Sequence, residues 1–337
     1  MQLQFVARGL DVSWPDLDAL CDQDIARQAP RFRGGVNNWI VQTYLHLRTP
    51  LRAAGLRPTI GETFLPGCIN VAHRDSLNRL LVPYHRSYVV GVRADRPPLH
   101  LCRWEIVQND LGPPRPRVRY VPFWPQPGLI ERDRTRGARV ETIVYFGRTG
   151  AVPPWFYDAR FHAALAELGV TFRVCENAWF DYEHADIVLA HRTEAATLLQ
   201  HKPASKLVNA WLAGTPALLA DEPAYATLRR SPLDYISIAS PDDVIAAVRM
   251  LRGAPQRYAA MVENGRQRGR AYEAAVTRER WLRLLRDEVL PDAERWQRSR
   301  RIPGSGWAAQ LVTMSRQKIA TKWFKWRVHA ESRAGAT

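Results

Sequence analysis

The chain predicts an α/β protein built from two doubly wound parallel sheets in succession. Three observations carry this expectation. Short apolar runs alternate with helical periodicity through residues 3–108 and again through 142–290. A proline-crowded stretch separates the two series. The length, 337 residues, allows two domains of ordinary size, and 46% hydrophobic residues supply a core for each.

The elements follow in order. Leu3–Val6 reads as an opening strand, and Arg33-Gly-Gly-Val36 as a glycine loop. Asn37 or Asn38 caps a helix from about Trp39 whose apolar face holds Ile40, Tyr44 and Leu47, with Pro50 expected to kink or end it. Arg57–Ile60, Cys68–Ala72, Tyr88–Val92 and Trp104–Gln108 read as further strands. Prolines 113, 114, 116, 122, 125 and 127 and the charged run Glu131–Arg136 mark a junction. Thr142–Phe146 then opens the second series. A helix over 155–168 follows, then strands at Thr171–Val174, Asp186–Ala190, Ala217–Ala220 and Asp234–Ile238. Pro203 suits a first helical turn, Leu207, Ala210 and Trp211 recur at helical spacing, and Gly214 ends that helix in the left-handed conformation. Ser240-Pro-Asp-Asp243 has the form of a helix cap. The expected boundaries are 1–125 for the first domain, 126–139 for the linker, 140–290 for the second domain and 291–337 for a basic, aromatic helical tail.

Composition excludes some functions. No apolar run is long enough to span a membrane, and the N-terminus lacks the charged head and long apolar core of a secretory signal. The four cysteines are scattered, so neither a metal knuckle nor a disulfide framework is expected. These features fit a cytoplasmic protein, peripheral at most at the inner membrane face. The net charge is +15, of which residues 294–337 supply +8. A basic body suits nucleotides, and a basic tail suits a polyanionic surface.

Four local motifs resemble those of the GT-B class of glycosyltransferases, the type with two Rossmann-like domains facing a cleft. Gly34-Gly35 before a helix, with Gly55 and a strand beyond, is similar to that family's first glycine loop. Tyr145-Phe-Gly-Arg148 resembles the strand end that opens its second domain. Asp181–Arg192 resembles its late strand, and Asn209-Ala-Trp-Leu-Ala-Gly-Thr-Pro216 its Glu-Ala-x-Ala-x-Gly-x-Pro element. The likeness covers roughly residues 30–290. The chain departs from the pattern at Asn209 and His201, where many retaining members carry glutamates.

The resemblance implies transfer of a hexosyl or related sugar from a nucleotide-sugar donor to a glycan, lipid-linked or protein-bound acceptor. Such a reaction needs cations for the leaving diphosphate and a group that takes the acceptor proton. Arg148, Arg192, Lys202 and Lys206 are the candidate diphosphate ligands. The two lysines are expected on one face near a helix start. A surface arginine in a turn accounts for Arg148 equally, and a salt bridge to Glu194 or Asp186 is the plain account of Arg192. Asn209 is a candidate for a ribose or sugar hydroxyl, or a buried polar residue that holds a loop. Gly34, Gly35 and Gly214 enter the donor site through the resemblance. His73 is the candidate base and Asp75 its orienting partner, with capping of a helix Ser76–Leu80 as the other role for Asp75. If transfer retains configuration, the donor phosphate accepts the proton and no such base is needed. Gln108-Asn109-Asp110 is a second candidate cluster that turn chemistry explains as well.

Asp16-Leu-Asp18 and Asp22-Gln-Asp24 match a short Asp-x-Asp metal pattern, but an acidic, solvated N-terminal helix explains them, so no metal and no other cofactor are expected. Trp307–Val328 places Leu311, Val312, Ile319, Trp323 and Trp326 near one face and basic residues elsewhere. This pattern suits an anionic membrane surface through residues 294–329, or a helix packed back on the first domain. The competing readings are a non-catalytic basic module for nucleic acid or membrane, and another nucleotide-binding enzyme such as an epimerase. No nucleic-acid motif supports the first, and the absence of G-x-G-x-x-G disfavours the second.

Overall fold

A computed structural model describes residues 2–77, 86–111, 114–299 and 305–334. The chain divides into two compact units. The first comprises residues 1–124, 196–203 and 274–337, and the second 125–195 and 204–273.

The first unit holds a six-stranded sheet. Its strands are β1 (Gln2–Val6), β2 (Arg57–Gly61), β3 (Ile69–His73), β4 (Tyr88–Val92), β5 (Trp104–Val107) and β6 (Val118–Tyr120). The order is β2-β1-β3-β4-β5-β6, and every pairing is parallel. Residues of β3 and β4 are buried on both faces, as in a sheet covered by helices on each side. Phe5 lies opposite both Ile60 and Val71, which sets the register through the core.

The helix Gln42–Ala53 continues a π-turn at Asn37–Val41 and runs through Pro50 to Ala53, one turn further than expected. A proline this near the end removes a single hydrogen bond. Leu47 and Leu51, both buried, hold the turn against the core.

Residues 274–299 are helical and pack in this unit, with Trp281, Leu284, Leu285, Val289 and Ala293 in its core. Asp292 anchors them. It accepts hydrogen bonds from Tyr88 Oη (2.6 Å), Arg103 Nε (2.6 Å) and Arg117 (3.3 Å). Burial works against its charge, yet these donors hold its pKa well below the usual carboxylate value. The segment 196–203 is clamped by Asn109, whose amide donates to the carbonyls of Gln200 (2.9 Å) and Lys202 (2.6 Å).

The second unit holds a five-stranded parallel sheet of order β11-β10-β9-β7-β8. Its strands are β7 (Thr142–Phe146), β8 (Thr171–Cys175), β9 (Ile187–Ala190), β10 (Ala217–Leu219) and β11 (Ile236–Ser237). The helix Ser205–Ala213 carries the chain from β9 to its neighbour β10 and packs Leu207, Ala210 and Trp211 into the core. Gly214 ends it at φ +70°, a left-handed value that glycine adopts without strain. Ser240 and Asp243 form a reciprocal capping box on the helix Pro241–Gly253. The helix Ala159–Glu167 is shorter than expected, because Asp158 caps it after a separate 3-10 turn at Pro154–Tyr157.

Candidate functional site

All five strands of the second sheet run in one direction, so the segments that leave their carboxyl ends share an edge. In open parallel sheets that edge is where ligands bind. Gly147-Arg148 leaves β7, His191-Arg192 leaves β9, and Asp221-Glu222 follows β10. The helix Ser205–Ala213 starts from the same edge because it returns the chain to the start of β10.

Five side chains meet here. The Arg192 guanidinium pairs with the Glu222 carboxylate, and both side chains are buried. The same guanidinium lies 6.0 Å from the centroid of the Tyr225 ring. The Lys206 ammonium sits 5.1 Å over the Tyr145 ring. Tyr145 belongs to β7, and its ring folds back over Gly147. A Cβ on Gly147 would meet ring atoms at 2.7–2.8 Å, so the glycine after this strand makes room for the tyrosine.

The charges interact strongly. Burial pushes the Glu222 carboxyl above its usual pKa, against the pull of Arg192 and Lys206. Burial also opposes the Arg192 charge, but Tyr225 and Glu222 raise its pKa overall. Glu222 Oε1 has no hydrogen-bond partner among the described residues. The N-cap of the helix Ser205–Ala213 is Ala204, whose side chain cannot accept a hydrogen bond, so the first N–H groups lie where an anion is favoured. The arrangement suits an exchange in which an entering phosphate oxygen replaces the carboxylate as the partner of Arg192.

The other donor candidates fall in several places. Arg148 is exposed at the end of β7, where its field lowers the pKa of Glu176 after the carboxylate's bonds to Thr149. Lys202 lies ahead of the helix, which begins at Ser205, and belongs to the first unit. There it pairs with Asp95 at 3.4 Å. The two lysines therefore do not share a helix face. Asn209 is buried. Its Oδ1 accepts the Gln126 N–H at 3.2 Å and its side chain bonds the buried Tyr182, so it ties the start of the second unit to this helix. Gly214 lies at the opposite, amino edge of the sheet. It lines a cavity of about 420 Å³ with Arg132, Gly137, Tyr258 and Arg266. Asp186 is also at the amino edge, paired with Arg132 and Arg136, so it takes no part in the Arg192 pair.

The first unit has its own carboxyl-edge cluster. His73 ends β3 and is 1% exposed. Its Nδ1 accepts the Asp75 N–H at 3.1 Å, so the ring proton resides on Nε2. Nε2 has no partner among the described residues and points at Gly35, where a Cβ would lie 2.6 Å away. Burial drives the His73 pKa down to about 4. In this state the imidazole is a neutral donor at Nε2, and a poor acceptor of protons at neutral pH. Asp75 is engaged by a bidentate bond from Arg96 (2.7 and 2.9 Å). His73 caps the 3-10 turn Arg74–Ser76, while residues 78–80 of the expected helix lie outside the described residues. Gly34 takes φ +82° ahead of the helix.

The acidic doublets are occupied by arginines: Asp16 by Arg31, Asp24 by Arg27 and Asp22 by Arg278. Among the described residues no group of three or more His, Cys, Asp or Glu is placed to hold a metal ion.

Sequence reasoning missed Glu222 and Tyr225, and it names Tyr145 only as part of a strand-end motif. A signal for Glu222 exists, since Asp221-Glu222 directly follows the apolar run Ala217–Ala220 and precedes a proline-led helix.

No family model matches the chain, and no curated protein matches it by sequence. Solved structures do resemble it. Anabaena Alr3699/HepE in complex with UDP-glucose aligns with a TM-score of 0.51 at 11% identity, over 85% of this chain and 99% of that one. Sucrose-phosphate synthase from Thermosynechococcus elongatus aligns with a TM-score of 0.52 at 10% identity, over 86% and 100%. At this identity the likeness is one of fold. The fold is that of the GT-B glycosyltransferases, with two Rossmann-like parallel-sheet units and a C-terminal helix.

Proposed function

We propose that this protein is a glycosyltransferase that moves a hexosyl or related sugar from a nucleotide-sugar donor to a hydroxyl of a glycan, lipid-linked or protein-bound acceptor, without a metal. The observation that carries the reading is the Arg192–Glu222–Lys206 cluster beside an uncapped helix start, at the ligand-binding edge of the second sheet. Cations held in a partly desolvated site stabilise the charge that grows on a leaving diphosphate. They take over the task a metal ion performs elsewhere. A similar fold crystallised with UDP-glucose supports the class of donor.

In this reading Arg192 and Lys206 hold the diphosphate, and Arg148 meets it from the solvent side. In the first unit, His73, neutral and with its proton on Nε2, is suited to donate to an uncharged oxygen rather than to take a proton. With the His73 pKa near 4 and Asp75 tied to Arg96, the proton of the acceptor passes most readily to a donor phosphate oxygen.

Titration calorimetry with a panel of nucleotides and nucleotide sugars, in the presence of a chelator, tests the proposal. One of them is expected to bind saturably, and Lys206→Ala to weaken it by about tenfold, the loss of one charge-assisted contact. Saturable binding to none of them would remove the proposal. Unchanged affinity in Lys206→Ala would remove the assignment of Lys206 alone.

A further inference from the structure

We propose that the outer face of the C-terminal helix docks the first unit flat on a bilayer surface rich in anionic phospholipid. The helix Ser305–Ala334 has a settled inner face. Gln317, 2% exposed, accepts the His100 N–H at 2.6 Å and donates to the Pro98 carbonyl at 3.2 Å. Phe324 stacks on His201 with ring centroids 5.4 Å apart, and Glu331 accepts the N–H and hydroxyl of Thr197.

The opposite face has the contrary character. Val312, Ile319, Trp323 and Trp326 are 53%, 68%, 59% and 64% exposed. Their spacings of seven, four and three place them on one stripe. At about 100° per residue, Arg316 and Arg327 border the stripe on one side and Lys322 on the other, with Lys318 and Lys325 beyond it. The Arg327 guanidinium lies 5.4 Å from the Trp323 ring centroid, beside Trp326. Glu331 is the one acid in the sequence from 305 to 334; it bonds Thr197 on the inner face and pairs with Arg327 at 3.6 Å, which leaves Arg316, Lys318, Lys322 and Lys325 without an acid on their own helix. The outer face thus pairs apolar side chains with cations and presents no anion.

An interface of acyl chains and acidic headgroups satisfies both halves of this surface. Indoles and an isoleucine enter the headgroup boundary, while the long basic side chains reach phosphates at either side. A nucleic acid would meet the cations but leave Val312 and Ile319 in water. A second copy would bring like charges together. No helix among the described residues is long and apolar enough to cross a membrane, so the contact lies in the plane of the surface. The inference is independent of the transfer reaction.

Co-sedimentation of the full chain with vesicles of phosphatidylcholine, or of phosphatidylcholine mixed with phosphatidylglycerol, tests it. Binding to the mixed vesicles is expected. W323S/W326S should lower the partition by at least about tenfold, and K322E/K325E should abolish the preference for anionic lipid. All four side chains are on the exposed face, so the thermal midpoint of both variants should match the parent. The proposal is overturned if neither vesicle binds, or if W323S/W326S partitions like the parent. It is equally overturned if duplex DNA displaces the vesicles, or if the parent is a dimer that W323S/W326S dissolves without any vesicle binding.

Discussion

The two sheets treat buried charge differently at their carboxyl edges. In the second unit the Arg192–Glu222 pair is buried with one carboxylate oxygen unbonded among the described residues, and the acid's pKa is raised. In the first unit the buried Arg93–Glu105 pair is locked, because Glu105 Oε1 also accepts the Leu99 N–H at 3.0 Å. His73, buried at the same edge, stays neutral because burial lowers its pKa. A locked pair sets structure, whereas a pair with an idle oxygen can change partners. The difference is what the proposal of anion handling at the second sheet requires of that sheet.

Acid provides the largest test of this contrast. Burial drives His46, His73 and His201, all in the first unit, down to about 4 from an ordinary 6.5. A depressed histidine favours the folded state only while it is neutral. Its contribution is complete above pH 6.5 and is lost as the pH falls toward 4, because the unfolded chain then binds protons that the folded chain refuses. His73 alone accounts for up to about 3 kcal/mol, and the other two add with the same sign. In the second unit His191 shares this direction, but Glu222 opposes it: with its folded pKa raised, its contribution is present at low pH and lost as pH rises. Hydrogen exchange between pH 7 and 4 should therefore show β3 and β4 losing protection before β9 and β10. The reverse order would erase the distinction between the sheets.

The second test strikes the exchangeable pair. Arg192→Met strands a buried carboxylate, which costs about 3–5 kcal/mol in the denaturant transition of the second unit. Adding Glu222→Leu should recover most of that loss while leaving donor binding impaired. Recovery of binding along with stability would show that the pair serves packing only.

How far these features could be read beforehand depended on their range along the chain. Tyr88–Val92 and Thr142–Phe146 were legible to the residue, because strands buried on both faces are unbroken apolar runs. Strand β6, three half-buried residues inside the proline-crowded stretch, carries no such run, so the sequence marks the stretch as a junction and shows no strand there. The positions of Arg192 after a strand and of Lys206 at a helix start were legible for the same local reason. The partner of Arg192 was not: Glu222 lies 30 residues on, and only the adjacency of β9 and β10 brings the two together. Lys202 misled because its spacing from Lys206 fits a helical turn, whereas the helix begins at Ser205, beyond Pro203.

Gly214 gives the smallest effect and the sharpest test of the edge argument. Its motif points to the donor site, yet its place is the amino edge, where the helix Ser205–Ala213 stops. Two costs attend Gly214→Ala. A left-handed φ of +70° strains any residue with a Cβ, by about 1 kcal/mol. The new methyl also meets the Arg266 guanidinium at 2.7 Å, but that is the tip of a flexible side chain that can swing aside. Gly214→Asn should cost less, since asparagine tolerates this conformation. If ligand binding belongs to the carboxyl edge, both variants lose about 1 kcal/mol or less in denaturation and keep the donor affinity of the parent. A fall in affinity larger than the fall in stability would place Gly214 in the donor site and remove the carboxyl edge as the sole seat of anion recognition.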